Sequence, residues 1–448
     1  MFIHGLNIAK VTFERIVIST KSHLLVRYFL NYVNKEVVIV VVKIQKILAL
    51  VDQSINKLVN TVAKNRTTLA FVITTCTLIS PNVNAEERQG LLLNAAVEAQ
   101  YDDNVLRKID PVTDSSIQIS PELQYLTHMG KHIFAVDYQG EYSAFKDNTK
   151  LNYNNHGIAL FALLDHSLKI NSEFKISYKD EVEEPGTNNS TSLLITEFNQ
   201  TQKKLAIATL YYGTQQSIGQ LVLGIDHSEY RYTNNLQGYR DVDKNKLTGT
   251  FFYRVAPKTR LLFQASIGDY NYITKSQLAD QSSKETFYLA GVEWDITAKT
   301  SGSFKLGYQG KKFEQKVYDD ITGLSYILDM TWKPNTYSTI RIAASRMTQE
   351  SSQLFTSAFV TNTYSIDAEH EITPRTKLKA AYTHGNDDIV AIRNRTDKRH
   401  NLVLGVEHSL LTWLSIGLDY QFIERSSDFE IYEYQANIIG LSLTTTFN

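Results

Sequence analysis

From Gln89 onward, apolar and polar residues exchange places at every second position, in run after run, to the end of the chain. Leu168, Ile170, Phe174, Ile176 and Tyr178 alternate with Lys169, Asn171, Glu173, Lys175 and Ser177. Leu324, Tyr326, Leu328, Met330 and Trp332 alternate with Ser325, Asp329 and Thr331, and Leu414, Ile416, Leu418, Tyr420 and Phe422 alternate with Ser415, Gly417, Asp419 and Gln421. In the last run, Ile439, Leu441, Leu443 and Phe447 are separated by Gly440, Ser442, Thr444 and Thr446. A helical period would scatter the charges among the apolar residues, whereas a strand sorts them onto opposite faces. The chain therefore folds as β-strands with one apolar and one polar face.

The punctuation between runs is of two kinds. Tight connections recur at Ala256-Pro257-Lys258-Thr259, Thr297-Ala298-Lys299-Thr300, Lys333-Pro334-Asn335-Thr336 and Thr373-Pro374-Arg375-Thr376, where proline presets the backbone angle of a type I turn. Further short turns are expected near residues 128–131, 165–167, 213–217 and 411–412. Longer polar connections are expected at residues 102–114, 146–152, 183–201, 234–243, 276–283, 315–320 and 387–396. Short turns at one rim and long loops at the other, with about eighteen strands and no Pro-, Gly- or Ser-rich linker to divide them, predict an all-β chain. The predicted architecture is one transmembrane antiparallel up-and-down barrel over residues 86–448. Eighteen strands about 4.8 Å apart and tilted about 40° close at a backbone diameter on the order of 36 Å, enough for a wet lumen. A loop such as 183–201 folding inward would narrow it. The 26 Tyr, 20 Phe and 3 Trp suit a lipid–water boundary. A net charge of −1 excludes nucleic-acid binding through a basic field.

Strand parity assigns the lumen lining to Asp137, Glu141, Lys175, Asp226, Arg254, Glu293, Asp295, Lys305, Asp329, Arg341, Asp367, Lys379, Glu407 and Asp419. Glu122, Lys169, Glu173, Glu369 and Lys377 are assigned with them. Both signs are present with carboxylates ahead, so a conducting lumen would favour cations modestly. Most of these charges are expected to pair across neighbouring strands.

Lys64, Asn65 and Arg66, the apolar run Leu69 to Ile79, Pro81 and then Asn82-Val83-Asn84-Ala85 follow the order of a secretory signal over residues 64–85, with cleavage after Ala85. Residues 1–63 are then an upstream extension from a mis-assigned start, translation beginning near Val59 or Val62. The competing reading makes Val37 to Val51 a membrane-associated helix. Cys76 lies inside the signal and follows Thr75 rather than a small residue, which argues against lipid attachment. The mature chain then has no thiol, which excludes disulfides and cysteine-bound metals.

The segment Ala99-Gln100-Tyr101-Asp102-Asp103-Asn104-Val105-Leu106, followed by about eighteen alternating strands with turns of the Thr-Pro-Arg-Thr kind, resembles the family called putative beta-barrel porin 2 over residues 86–448. That resemblance implies a pore in the bacterial outer membrane, reached by export, in contact with outer-membrane lipid and inserted by the barrel assembly machinery. The aromatic at Phe447 resembles the assembly signal of such closing strands, although here Asn448 follows it. The resemblance also implies a role in exporting or anchoring capsular or exopolysaccharide. A general diffusion porin for small hydrophilic solutes and a non-conducting envelope scaffold carry the same sequence features, and the lipid-facing residues favour a monomer. Tyr101-Asp102-Asp103-Asn104 reads as a polar turn bonding its own backbone, or as a cation or sugar contact at the rim. A rim hydrolase would use Asp226-His227-Ser228, or His384 with Asp387 and Asp388, but no serine sits in a nucleophile turn. No phosphate loop, metal-ligand spacing or dinucleotide fingerprint occurs, so no cofactor or metal is expected.

Overall fold

The computed structural model describes residues 89–183, 185–186, 197–275, 280–297, 299–350, 356–391 and 394–447. The signal at 64–85, the extension before it and Cys76 lie outside the described residues. Eighteen strands follow one another: β1 Gly90–Asp102, β2 Asp114–Met129, β3 His132–Phe145, β4 Tyr153–Ser167, β5 Ile170–Val182 and β6 Gln200–Tyr212. They continue as β7 Gly219–Tyr232, β8 Val242–Ala256, β9 Thr259–Tyr272, β10 Ser283–Thr297, β11 Thr300–Phe313 and β12 Ile321–Asn335. The last six are β13 Ser338–Glu350, β14 Thr356–Thr373, β15 Thr376–Ala391, β16 Arg395–Leu411, β17 Leu414–Ser427 and β18 Tyr434–Phe447. Each pairs antiparallel with its sequence neighbours and β18 pairs with β1, so the sheet closes into a barrel without edges. At the seam Phe447 sits opposite Leu93, and its ring stacks on Trp413 with centroids 5.9 Å apart.

The register carries the alternation round the wall. Cross-strand partners share a face, and Leu378, Val406, Leu418 and Leu441 form one such row while Lys379, Gly405, Asp419 and Gly440 form the row beside it. The first row is exposed although wholly apolar. In a closed cylinder that face can only meet hydrocarbon, and the polar row then meets the lumen.

Six of the short hairpins slip by one residue immediately before the turn, as in Arg254↔Arg260 followed by Ala256↔Thr259. An extra residue in one strand raises its local twist, which reconciles the turn with the twist of the wall. The turn expected at Lys333-Pro334-Asn335-Thr336 is displaced: Asn335 pairs with Ser338, so Thr336 and Tyr337 make the turn and Pro334 stays in β12. Lys169 lies in the β4–β5 turn rather than in a strand. The loop expected at residues 387–396 is mostly wall, because β15 runs to Ala391 and β16 starts at Arg395. The β17–β18 connection, absent from the expected loops, is a long-side loop with a 3-10 turn at Glu430–Tyr432.

A barrel of this kind has no single apolar core. Instead small clusters seal the long-loop end: Val105, Leu106, Leu151 and Phe198 from three different connections, and Ile321, Ala358 and Val360 from β12 and β14. Pairing between β12 and β13 stops at Tyr326↔Arg346, while β12 continues against β11 and β13 against β14. Side chains replace the missing ladder, Ser325 Oγ donating to the Arg346 carbonyl (2.9 Å) and the Thr348 amide donating to Gln309 Oε1 (3.0 Å).

Candidate lumen and constriction

All fourteen residues assigned to the lumen by parity lie on the polar face that the register defines. They do not form one site. Toward the short turns they are spread thinly and stay wet. Arg341 pairs with Glu369 at 3.0 Å and Lys379 with Glu407 at 2.7 Å, with the Arg341 and Glu369 side chains 53% and 42% exposed. Arg260 pairs with Glu293 and donates to Gln220 at 2.7 Å. Lys305 donates to Gln264 at 3.0 Å, whereas Glu141 lies near the long-loop ends of β3 and β4, where it accepts from Asn155 at 3.3 Å. Between β15 and β18 the wall is recessed by glycines. A Cβ on Gly405 would stand 2.3 Å from Asp419 Oδ1, and one on Gly440 would stand 2.3 Å from Glu98 Oε1, so both carboxylates lie flat along the wall. Lys379, Glu407, Asp419, Ser442 and Thr444 line the resulting hollow.

Toward the long loops the same face becomes crowded. Lys311 on β11, 1% exposed, pairs with Glu350, which the end of β13 delivers past the break in the β12–β13 ladder. Tyr272 donates to the other Glu350 oxygen at 2.8 Å, Tyr270 donates to Glu285 at 2.8 Å, and the Lys311 ammonium stands 3.8 Å over the Tyr270 ring. Lys244 stands over the rings of Tyr230 and Tyr270, at 4.9 and 5.1 Å. Next to this group Arg240 grips Glu183 with two bonds of 2.7 and 3.0 Å and lies 4.0 Å over the Tyr232 ring, fastening the start of the β5–β6 loop to the β7–β8 loop. Burial alone would lower the Arg240 pKa, but the bonds and charge of Glu183 hold it above its ordinary value.

A second buried group faces it from β15–β18. Asp387 and Asp397 are fully buried. Asp387 accepts from Arg399 (2.7 and 3.1 Å) and Thr361 (2.7 Å), and Asp397 accepts from Arg395, Arg425 and Ser427. Arg425 and Tyr434 both donate to the carbonyl of Gly186, at 3.3 and 3.0 Å, so the β5–β6 loop reaches β17 and β18. Gly186 has φ +76°, and a Cβ there would stand 2.6 Å from Tyr434 Oη and 2.7 Å from Arg107 Cβ; only glycine fits.

None of the residues in these two groups stood among the fourteen chosen by parity. All but Glu350 alternate as regularly as the fourteen; Glu350 has the outward parity of Arg346 and reaches the lumen residues only because the end of β13 leaves β12, and contacts between side chains of distant strands leave no mark in a local pattern. Tyr101 faces outward, while Asp102, Asp103 and Asn104 act as a staple. Asp102 pairs with Arg107 at 2.7 Å, Asp103 accepts from the amide and side chain of Asn437 (2.7 and 2.8 Å), and Asn104 donates to the carbonyls of Lys108 and Gln435 (2.7 and 2.9 Å). The rim-hydrolase sets do not assemble. Neighbours in a strand point to opposite faces, so His227 meets Asn245 (2.8 Å) and Glu229 (3.7 Å) rather than Asp226 or Ser228. His384 packs on Tyr364 and His400, away from Asp387.

A family model described as putative beta-barrel porin 2 matches residues 92–447. None of the curated proteins matches the chain. Among solved structures, the chain is similar to OpdK of Pseudomonas aeruginosa with vanillate at 10% identity, covering 80% of this chain and 99% of that one with a TM-score of 0.45. It is similar to a BenF-like porin of Pseudomonas fluorescens Pf-5 at 11% identity, 80% and 99% coverage and a TM-score of 0.45. The siderophore receptor PirA of Acinetobacter baumannii is similar at 7% identity, 81% coverage of each chain and a TM-score of 0.41.

Proposed function

The chain belongs to the putative beta-barrel porin 2 family, and on that premise we propose that it is a restricted-aperture outer-membrane pore for small hydrophilic solutes. The supporting observation is the division of the polar face into a wet, charged half toward the short turns and a half narrowed by two opposed buried groups toward the long loops. By the outer-membrane pattern the short turns face the periplasm and the constriction faces outside. The parity residues other than Glu141 line the wide half. Of all fourteen, nine are acidic and five basic, which favours cations modestly.

Single-channel recording in a planar bilayer tests this. The expected result is a small, steady conductance with a reversal potential on the cation side in a potassium chloride gradient. Asp226→Asn/Asp329→Asn should move that potential toward zero. A folded protein with no conductance would replace the pore by a non-conducting scaffold.

Export or anchoring of capsular or exopolysaccharide is the second reading. It follows from the family resemblance rather than from an open stacking surface, since Lys244, Arg240 and Lys311 cover the faces of Tyr230, Tyr232 and Tyr270, and Tyr272 is buried. Block of the conductance by long acidic glycans but not by monosaccharides would favour it. We also assign Phe447 to recognition by the barrel assembly machinery, residues 64–85 to the export signal, and the monomer as the working state in outer-membrane lipid.

A further inference from the structure

On the lipid face of β12–β16 the apolar rows give way, toward the long loops, to a continuous polar and aromatic network. Arg346 Nη1 donates to Asn362 Oδ1 (2.9 Å), Tyr326 Oη donates to the same oxygen (3.4 Å), and Tyr326 and Tyr364 share a hydroxyl bond of 2.7 Å. Tyr364 stacks on His384, His384 lies 4.7 Å from His400 between centroids, and His400 Nδ1 bonds Tyr382 Oη (2.8 Å). Tyr364, His384 and His400 occupy one register row, and Arg346, Asn362, Asn386 and Lys398 occupy the next row outward. Below them Tyr382, Leu402 and Phe422 begin the apolar band, so the histidine row marks the level of the lipid headgroups.

What singles out this face is that its cations stand beside imidazoles. Elsewhere on the outer surface at the long-loop end Lys204 is neutralised by Glu229 and Arg231 by Asp243, while Lys284 and Lys312, side by side on β10 and β11, have only Thr286 and Gly310 in the row beneath. Neither Arg346 nor Lys398 has a carboxylate partner among the described residues. The acids on the same face are engaged, Glu424 accepting from Gln435 (2.8 Å) and Asp388 from Asn386 (3.3 Å). His384 Nδ1 is buried and has no hydrogen-bond partner. Two cations with no carboxylate partner among the described residues, at headgroup level and three strands or about 14 Å apart at ~4.8 Å per strand, with two imidazoles in the row beneath, complement a headgroup that carries two separate anionic groups.

We propose that this face binds a bisphosphorylated lipid headgroup of the outer leaflet, with Arg346 and Lys398 each taking one phosphate and the tyrosine and histidine rings supporting the sugar or glycerol between them. The inference rests on the outer-membrane reading, which conductance tests independently. Purified full-length protein in non-ionic detergent, titrated with bisphosphorylated lipid A and followed by native mass spectrometry, tests the binding itself. Lipid A should be retained over phosphatidylcholine, its monophosphoryl form more weakly, and retention should fall as salt is raised. Each cation is worth about fivefold, so Arg346→Ala/Lys398→Ala should reduce retention roughly 25-fold, while Lys204→Ala/Arg231→Ala should leave it unchanged. The salt dependence is read on the unmutated protein and so stands even if the double variant fails to fold. Equal retention of lipid A and phosphatidylcholine would overturn the proposal. So would equal loss in the two double variants, displacement of lipid A by inorganic phosphate, or a change confined to the protein's oligomeric mass.

Discussion

Replacing Lys311 by Met keeps the stem of the side chain and removes its charge from a buried ion pair of the constriction. Lys311 is 1% exposed, and its loss leaves the Glu350 carboxylate with Tyr272 as its remaining hydrogen-bond partner among the described residues. Breaking a buried pair from one side costs about 3–5 kcal/mol, because the abandoned charge keeps its desolvation penalty. The exposed pair Arg341–Glu369 has the same chemistry in water, and Arg341→Met should cost no more than ~1 kcal/mol. Removing both charges and the tyrosine hydroxyl together, as in Lys311→Met/Glu350→Leu/Tyr272→Phe, leaves Glu285 bonded to Tyr270 with Lys244 as the cation beside it and should recover most of that loss. Equilibrium urea unfolding in detergent, followed by tryptophan fluorescence, measures all three. The single variant should also raise conductance, since Glu350 holds the end of β13 toward β11. A single substitution costing under about 1 kcal/mol, or a triple variant no better than the single, would refute the claim that enclosure sets the energetics here.

Gly186→Val should loosen the β5–β6 loop from β17 and β18, because the left-handed backbone and the Tyr434 hydroxyl both exclude a side chain. The readout is a larger or noisier single-channel current with unchanged heat-modifiable migration in a gel. Asp280 lies in the β9–β10 loop, outside the membrane span. Burial opposes its ionisation, but bonds from Ser282 and the Lys275 ammonium at 3.5 Å hold its carboxyl below the usual range. A depressed folded-state pKa contributes stability above the unfolded value and loses it as pH falls through the folded one, so acid should weaken this loop below the ordinary carboxylate range. Ser282→Ala should shift that loss to higher pH in hydrogen exchange of the loop amides.

The displaced features of the fold share a cause. Pro334 was a sound turn signal, yet the turn lies two residues on, since proline is tolerated near a strand end where the ladder is already slipping. The polar run from Asp387 to Thr396 reads as a loop because Asp, Asn and Arg are poor strand formers. In the barrel those residues are wall, because Asp387 and Asp397 find arginines on the same face and cease to need water.

Alternation at period two is a local property, and it was enough to predict a closed sheet of about eighteen strands and to sort the residues of each strand onto two faces, though it missed the β17–β18 loop and read the wall at 387–396 as a connection. Which lumen charges meet is not local. Lys311 and Glu350 are 39 residues apart, and Tyr434 and Gly186 are 248 apart. Their meeting depends on where the β12–β13 ladder breaks, which brings Glu350 to the lumen residues against its parity, and on how far the β5–β6 loop reaches across. The strand pattern thus specifies a wide wet cylinder, and only the inward packing of its long-loop end makes the aperture narrow.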